Sequence, residues 1–240
     1  MKAMRPLCLV FDLDDTLYLE RDFVRSGFDA VGAWAAGEMG IADFASRAWR
    51  LFESGQRQRV FDTVLREAGC DPSQDLIAQM VAIYRGHAPR ISLLPDAKAL
   101  LRELHGRCAM ALISDGYLNA QQRKAEVLQV GKVLDPLVFT DCWGREHWKP
   151  HPRAFEFLQR RFGAREFEFV YVADNPAKDF VAPSALGWRT VRVRRPQGLH
   201  AGVERGPGSV IDFEIRDLGS LPELLFPSRR PAAQAVGARF

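Results

Sequence analysis

The chain has 240 residues, of which 47% are hydrophobic and 26% are charged. These are globular proportions, and they exclude a wholly disordered or fibrous chain. The 33 basic and 30 acidic residues leave a formal charge of +3, and Arg229, Arg230 and Arg239 place that excess in the stretch 227–240, which has no acid. The body is therefore neutral, with no basic face to suggest a nucleic-acid partner.

The first element is the apolar run Leu7–Phe11. Continuous apolarity ending in acids predicts a strand buried on both faces, as in a parallel sheet. Residues 19–92 carry no strand pattern. Apolar residues recur there at helical spacing in four groups, around Phe23–Ala35, Phe44–Phe52, Val60–Leu65 and Ile77–Tyr84. They predict a helical cap of four amphipathic helices inserted after the first strand, with the aromatic residues as its core.

From residue 96 onward the rhythm changes. Helices are predicted over 96–105, 119–130, 153–162 and 177–186. Strands are predicted over 108–113, 137–139, 169–173 and 190–193. A last edge strand over 211–215 and a short helix over 221–225 complete the pattern. This alternation argues an α/β fold with a doubly wound, parallel, Rossmann-like sheet. The core is expected to comprise residues 1–18 and 93–226, the cap 19–92, and residues 227–240 a disordered tail.

The run 7–11 is too short for a secretory signal, and no run approaches the roughly 18 apolar residues of a membrane helix. Cys8, Cys70, Cys108 and Cys142 form no C-x-x-C pair. A chain of this length can build a core without disulfides, so they read as reduced thiols of a cytoplasmic protein away from membranes.

The chemistry begins at Asp12-Leu13-Asp14-Asp15-Thr16. Two charges about 5 Å apart repel by roughly 3 kcal/mol at an effective dielectric near 20. Read alone, the segment is either a polar turn capping the next helix or a site where a divalent cation offsets that repulsion. Hard oxygen ligands favour Mg²⁺. Three more positions fall just past predicted strand ends, where α/β sheets build their sites. They are Ser114 with Asp115 and Gly116, Lys149 before Pro150, and Asp174 with Asn175 and Asp179. Each alone is an ordinary turn or surface residue. Together they offer a nucleophile, a hydroxyl donor, a fixed cation and metal carboxylates.

These four motifs, in this order, resemble those of the haloacid dehalogenase superfamily, in its phosphatase branch with a C1-type cap. The resemblance spans roughly residues 7–225, and Ala173 departs from it where many members have glycine. It implies that Asp12 is a nucleophile forming an aspartyl-phosphate and that Asp14 is the general acid and base. Mg²⁺ would be held by Asp12, the main-chain carbonyl of Asp14 and Asp174, with Asp179 behind its water shell. Ser114, Lys149 and the N–H groups around Leu13, Asp115 and Gly116 would bind phosphate. The Asp12 strand would lie between the strands ending at Ser114 and Ala173. Phe23, Ser26, Arg57 and Arg59, near cap helix ends, are candidates for substrate recognition, against an ordinary solvated or core role. The expected partner is a small phosphate ester, a sugar phosphate or nucleoside monophosphate, acted on by a monomer or homodimer. A phosphomutase or phosphotransferase shares these motifs. A haloacid dehalogenase needs no metal and lacks an acid two residues after the nucleophile. A phosphonatase does not call for Asp14, and a catalytically inactive scaffold is expected to have lost a motif.

Overall fold

The computed structural model describes residues 5–226. The disordered-tail expectation for 227–240 lies outside the described residues. One six-stranded sheet is built from β1 (Leu7–Phe11), β2 (Ala109–Ser114), β3 (Leu137–Phe139), β4 (Glu168–Ala173), β5 (Arg189–Val193) and β6 (Phe213–Ile215). All neighbours are parallel, in the order β3-β2-β1-β4-β5-β6. The order reverses at β1, the switch point beside which doubly wound sheets build their crevice.

Side chains alternate between the two faces, as strand geometry requires. Leu9 and Phe11 join one core cluster with Leu112 and Val172. Cys8 and Val10 join the other, with Ile113 and Tyr171. Helices α5 (Pro95–Leu104), α6 (Leu118–Val127) and α9 (Leu221–Leu225) cover the first face. Helices α7 (Arg153–Phe162) and α8 (Val181–Ala185) cover the second. Burial on both faces explains why the sequence reads as unbroken apolar runs.

The insert comprises α1 (Glu20–Met39), α2 (Phe44–Glu53), α3 (Val60–Glu67) and α4 (Gln74–Gly86). Gly40 ends α1 at φ +70°, a left-handed cap that glycine adopts without steric cost. The insert has its own core, centred on Phe28, Phe44, Phe61, Leu65 and Met80. Both of its connections cross side by side, where the Leu94 N–H donates to the Leu17 carbonyl at 3.0 Å.

Three expected elements are shorter than their patterns, the mildest being the helix expected over 119–130, which ends at Val127. The helix expected over 177–186 forms only over Val181–Ala185. The backbone before it is spent on a turn, where Asn175 N–H donates to Asp179 Oδ2 at 2.9 Å and Ala177 N–H to Asn175 Oδ1 at 3.0 Å. The edge strand expected over 211–215 begins at Phe213. Ahead of it the Asp212 carboxylate takes the Thr190 N–H at 2.8 Å, so a side chain replaces the ladder. All four cysteines are free, and burial pushes the Cys8 thiol up to about 12. No helix among the described residues is long and apolar enough to cross a membrane.

Among the described residues, Arg192 is the largest fully buried side chain. It donates to the carbonyls of His200 at 2.9 Å, Val203 at 2.8 Å and Asp174 at 3.3 Å, and it pairs with Glu214. Arg192→Met is expected to leave the three carbonyls unpaired, at about 1–3 kcal/mol each, and so cost at least about 3 kcal/mol. Denaturant unfolding checks this, and a loss under about 1 kcal/mol, the usual worth of an exposed pair, would show that Arg192 is not a keystone.

Candidate active site

Asp12 follows β1 directly and is buried, with its N–H still donating to Val172 on β4 at 2.9 Å. Ser114 closes β2, and Asp174 follows β4. The three therefore meet at the carboxyl edge of the three central strands, because β1 lies between β2 and β4. Lys149 arrives from the loop before α7. Its ammonium is sealed from solvent and lies 2.5 Å from Asp12 Oδ1, 2.7 Å from Asp179 Oδ1 and 3.0 Å from the Tyr171 hydroxyl. Asp115 fixes that loop, accepting from Lys149 N–H at 3.1 Å, Thr140 Oγ1 at 2.8 Å and Lys178 Nζ at 2.9 Å.

Carboxylate oxygens of Asp12, Asp174 and Asp179 lie within 4.8 Å of one another, all three buried. Burial pushes Asp12 up to about 7 even though Lys149 beside it pulls the other way. Burial also pushes Asp174 up to about 7, against a hydrogen bond from His200 at 3.2 Å. One ammonium therefore does not fully offset the charge gathered here. An all-oxygen, acid-rich donor set of this kind fits a hard divalent cation.

Asp14 faces elsewhere. Its Oδ1 is 2.7 Å from Lys124 Nζ and accepts from the Tyr18 hydroxyl, and its Oδ2 accepts from Gln121 at 3.2 Å. Burial alone would raise it, but Lys124, Tyr18 and Gln121 together hold it below the usual carboxylate range. The third acid of the segment, Asp15, is a structural tie. Its φ is +51°, and its carboxylate accepts from Glu20 N–H at 2.9 Å and Leu199 N–H at 2.7 Å.

Comparison with known proteins settles the family. The model of the haloacid dehalogenase-like hydrolases matches residues 7–187. The chain belongs to that family. It is 25% identical over 235 residues to the glyceraldehyde 3-phosphate phosphatase of Methanocaldococcus jannaschii, covering 90% of this chain and 96% of that one. It is 26% identical over 170 residues to (S)-2-haloacid dehalogenase 4A of Burkholderia cepacia, covering 70% and 69%. The HAD hydrolase YfnB of Bacillus subtilis, solved with magnesium bound, superposes with a TM-score of 0.65 over 93% of this chain and 100% of that one, at 17% identity. That last likeness speaks to the fold alone.

In this hydrolase the site opens into a cavity of about 650 Å³ between sheet edge and cap. Its walls include Asp12, Asp14, Asp174, Lys178 and, from the cap, Phe23, Phe28, Phe61 and Tyr84. Of the four cap candidates, Phe23, Arg57 and Arg59 line it. Arg57 is already engaged, lying 3.9 Å over the Phe52 ring and donating to the Phe52 carbonyl. Arg59 pairs with Asp62 at 3.1 Å. Ser26 departs from expectation. It is buried away from the cavity wall, 2.6 Å from His87 Nε2, and it accepts the Arg90 N–H at 3.2 Å. Its hydroxyl is spent joining α1 to the segment after α4.

Lys178, His200 and Glu20 line the same cavity and were not anticipated. Lys178 had a signal, standing between Asp174 and Asp179 in the fourth motif. His200 had none, because it reaches Asp174 from a loop beyond β5. Glu20 was hidden as the first residue of a helix.

Asp12, Asp174 and Glu20 are each pushed up to about 7. A carboxyl whose pKa rises on folding holds its proton more tightly when folded. Each such group costs stability as pH climbs from the unfolded value near 4 through about 7. His87, held low by burial, works in the opposite sense but is outnumbered by these three. In excess chelator, Tm is therefore expected to fall between about pH 5.5 and pH 8, and Asp174→Asn to lessen the fall. A wild-type Tm that rises over this interval would contradict the crowding of these acids.

Proposed function

We propose that this hydrolase is a Mg²⁺-dependent phosphomonoesterase working through an aspartyl-phosphate on Asp12. The observation that carries this reading is the setting of Asp12. One oxygen is held by Lys149, and two further carboxylates lie within 4.8 Å. A nucleophile must be ionised, yet burial leaves Asp12 near 7 with Lys149 alone. A second cation in the Asp12, Asp174 and Asp179 cluster would keep it ionised at neutral pH.

Asp12 would attack phosphorus, breaking its bond to the ester oxygen, which takes a proton from Asp14. Water would then attack the phosphorus of the aspartyl-phosphate and give its proton to Asp14, regenerating Asp12. Lys149, Ser114 and the N–H groups of Leu13, Asp115 and Gly116 would hold the phosphoryl oxygens as charge develops. Held by Asp12, the Asp14 carbonyl and Asp174, with Asp179 in support, Mg²⁺ would offset the charge of the phosphate dianion. Asp14 also favours this reading over dehalogenation, which has no use for an acid at that position.

The cavity lies within the 300–1,000 Å³ typical of small-molecule sites. It suits a small phosphate ester, of the sugar phosphate or nucleoside monophosphate class. The similarity to a glyceraldehyde 3-phosphate phosphatase supports that range. Residues 19–92 would serve as the cap, over a core of 1–18 and 93–226.

Phosphate release from an aryl phosphate tests the reading. It is expected to cease in excess chelator and return with Mg²⁺, with Ca²⁺ a poor substitute because it prefers more and longer oxygen contacts. Asp12→Asn is expected to abolish turnover, and Lys149→Ala to cost at least about 10²–10³-fold. Full turnover in chelator would remove the metal from the account. Metal-free halide release from a 2-haloacid, with no phosphate release from any ester, would make this protein a dehalogenase.

A further inference from the structure

Helix α6 sends two polar side chains into the site that belong to none of the four strand-end motifs. Gln121 is 4% exposed and Lys124 3%. They stand three residues apart, so they share one helix face. Lys124 Nζ is 2.7 Å from Asp14 Oδ1 and 4.2 Å from the centre of the Phe23 ring on the cap. Gln121 uses both ends of its amide. Its Nε2 donates to Asp14 Oδ2 at 3.2 Å, and its Oε1 accepts from Ser114 Oγ at 3.1 Å. The chain makes room for this. Gly116 sits at φ +122°, and a Cβ there would lie 2.5 Å from Gln121 Nε2.

Burying a lysine costs several kcal/mol unless a partner compensates. A purely structural tie would need only one carboxylate oxygen and one donor. Here Lys124, Gln121 and Tyr18 occupy both oxygens of a single carboxylate, and Gln121 links it to a phosphate-binding hydroxyl. We propose that Lys124 and Gln121 are positioning residues that hold the Asp14 carboxylate in place as the base of the water-activating half-reaction. This rests on the phosphomonoesterase reading above. A carboxylate with donors on both oxygens is an acceptor, as that half-reaction requires. The first half asks Asp14 to give a proton, which the same donors do not assist. Their removal should therefore slow breakdown of the aspartyl-phosphate more than its formation.

The test is a double-mutant cycle on the full chain with an aryl phosphate and Mg²⁺. Lys124→Gln is expected to lower kcat by about 10–10²-fold, less than the roughly 10²–10⁴-fold that a general base itself supplies, because Lys124 only positions that base. The fraction of protein carrying phosphate at steady state should rise. In the Asp14→Asn background, Lys124→Gln should cost no more than about 2-fold, because the residue it acts through is already disabled. Lys124→Arg should recover part of the loss. Gln121→Met tests the second oxygen without removing a charge, with the same non-additivity expected. A further loss in the Asp14→Asn background equal to that in wild type would overturn the proposal and leave the phosphatase reading standing. Absence of Mg²⁺-dependent phosphate release in wild type would overturn both.

Discussion

Lys149 carries a full charge into a place that water does not reach. Its ammonium touches Asp12, Asp179 and Tyr171, while its own N–H is held by Asp115. The loop before α7, the ends of β1 and β2, and the turn after β4 are tied together through this one residue, β2 by its main-chain N–H and the others by its ammonium. Lys149 without these acids would be an uncompensated buried charge, and the acids without Lys149 would repel one another. Breaking such a pair typically costs about 3–5 kcal/mol. The fold tolerates the arrangement because the sheet order brings the three strand ends together with nothing between them.

The balance is deliberately incomplete. Burial outweighs Lys149 at Asp12, and it outweighs the His200 contact at Asp174. The same burial acts on Asp14, yet there Lys124, Tyr18 and Gln121 win, and the carboxyl stays low. Two acids two residues apart thus sit in opposite electrostatic settings. One setting has room for a further cation, and the other is already satisfied. Strand alternation alone would put residues two apart on one side, but β1 ends at Phe11, and the turn that follows, with Asp15 at φ +51°, sends the two side chains apart. One side faces the sheet edge and Lys149, the other α6 and the cap.

Much of this was legible in the sequence because burial leaves a periodic trace. The strands at 7–11, 137–139 and 169–173 read from their apolar runs, and α7 from its spacing. The strand-end acids read from their cost, since crowded carboxylates need a reason. Residues that act across long loops left no trace. His200 and Arg192 meet the Asp174 loop through tertiary contacts that no local pattern encodes. Gln121 and Lys124 resemble any exposed helix positions until β2 and the cap close over them. Ser26 looked available because a hydroxyl near a helix end reads the same whether it meets substrate or His87. The shortened helix at 181–185 shows turn chemistry overriding propensity, where Asn175 and Asp179 capture the backbone first.

The proposed mechanism requires that Asp12 become covalently phosphorylated and that Asp14 govern release. Rapid quench of Asp14→Asn with an aryl phosphate and Mg²⁺, followed by peptide mass analysis, tests that directly. A stoichiometric burst of the alcohol is expected, with a gain of about 80 Da on the peptide holding Asp12. No burst and no mass gain, with phosphate released at the wild-type rate, would contradict it.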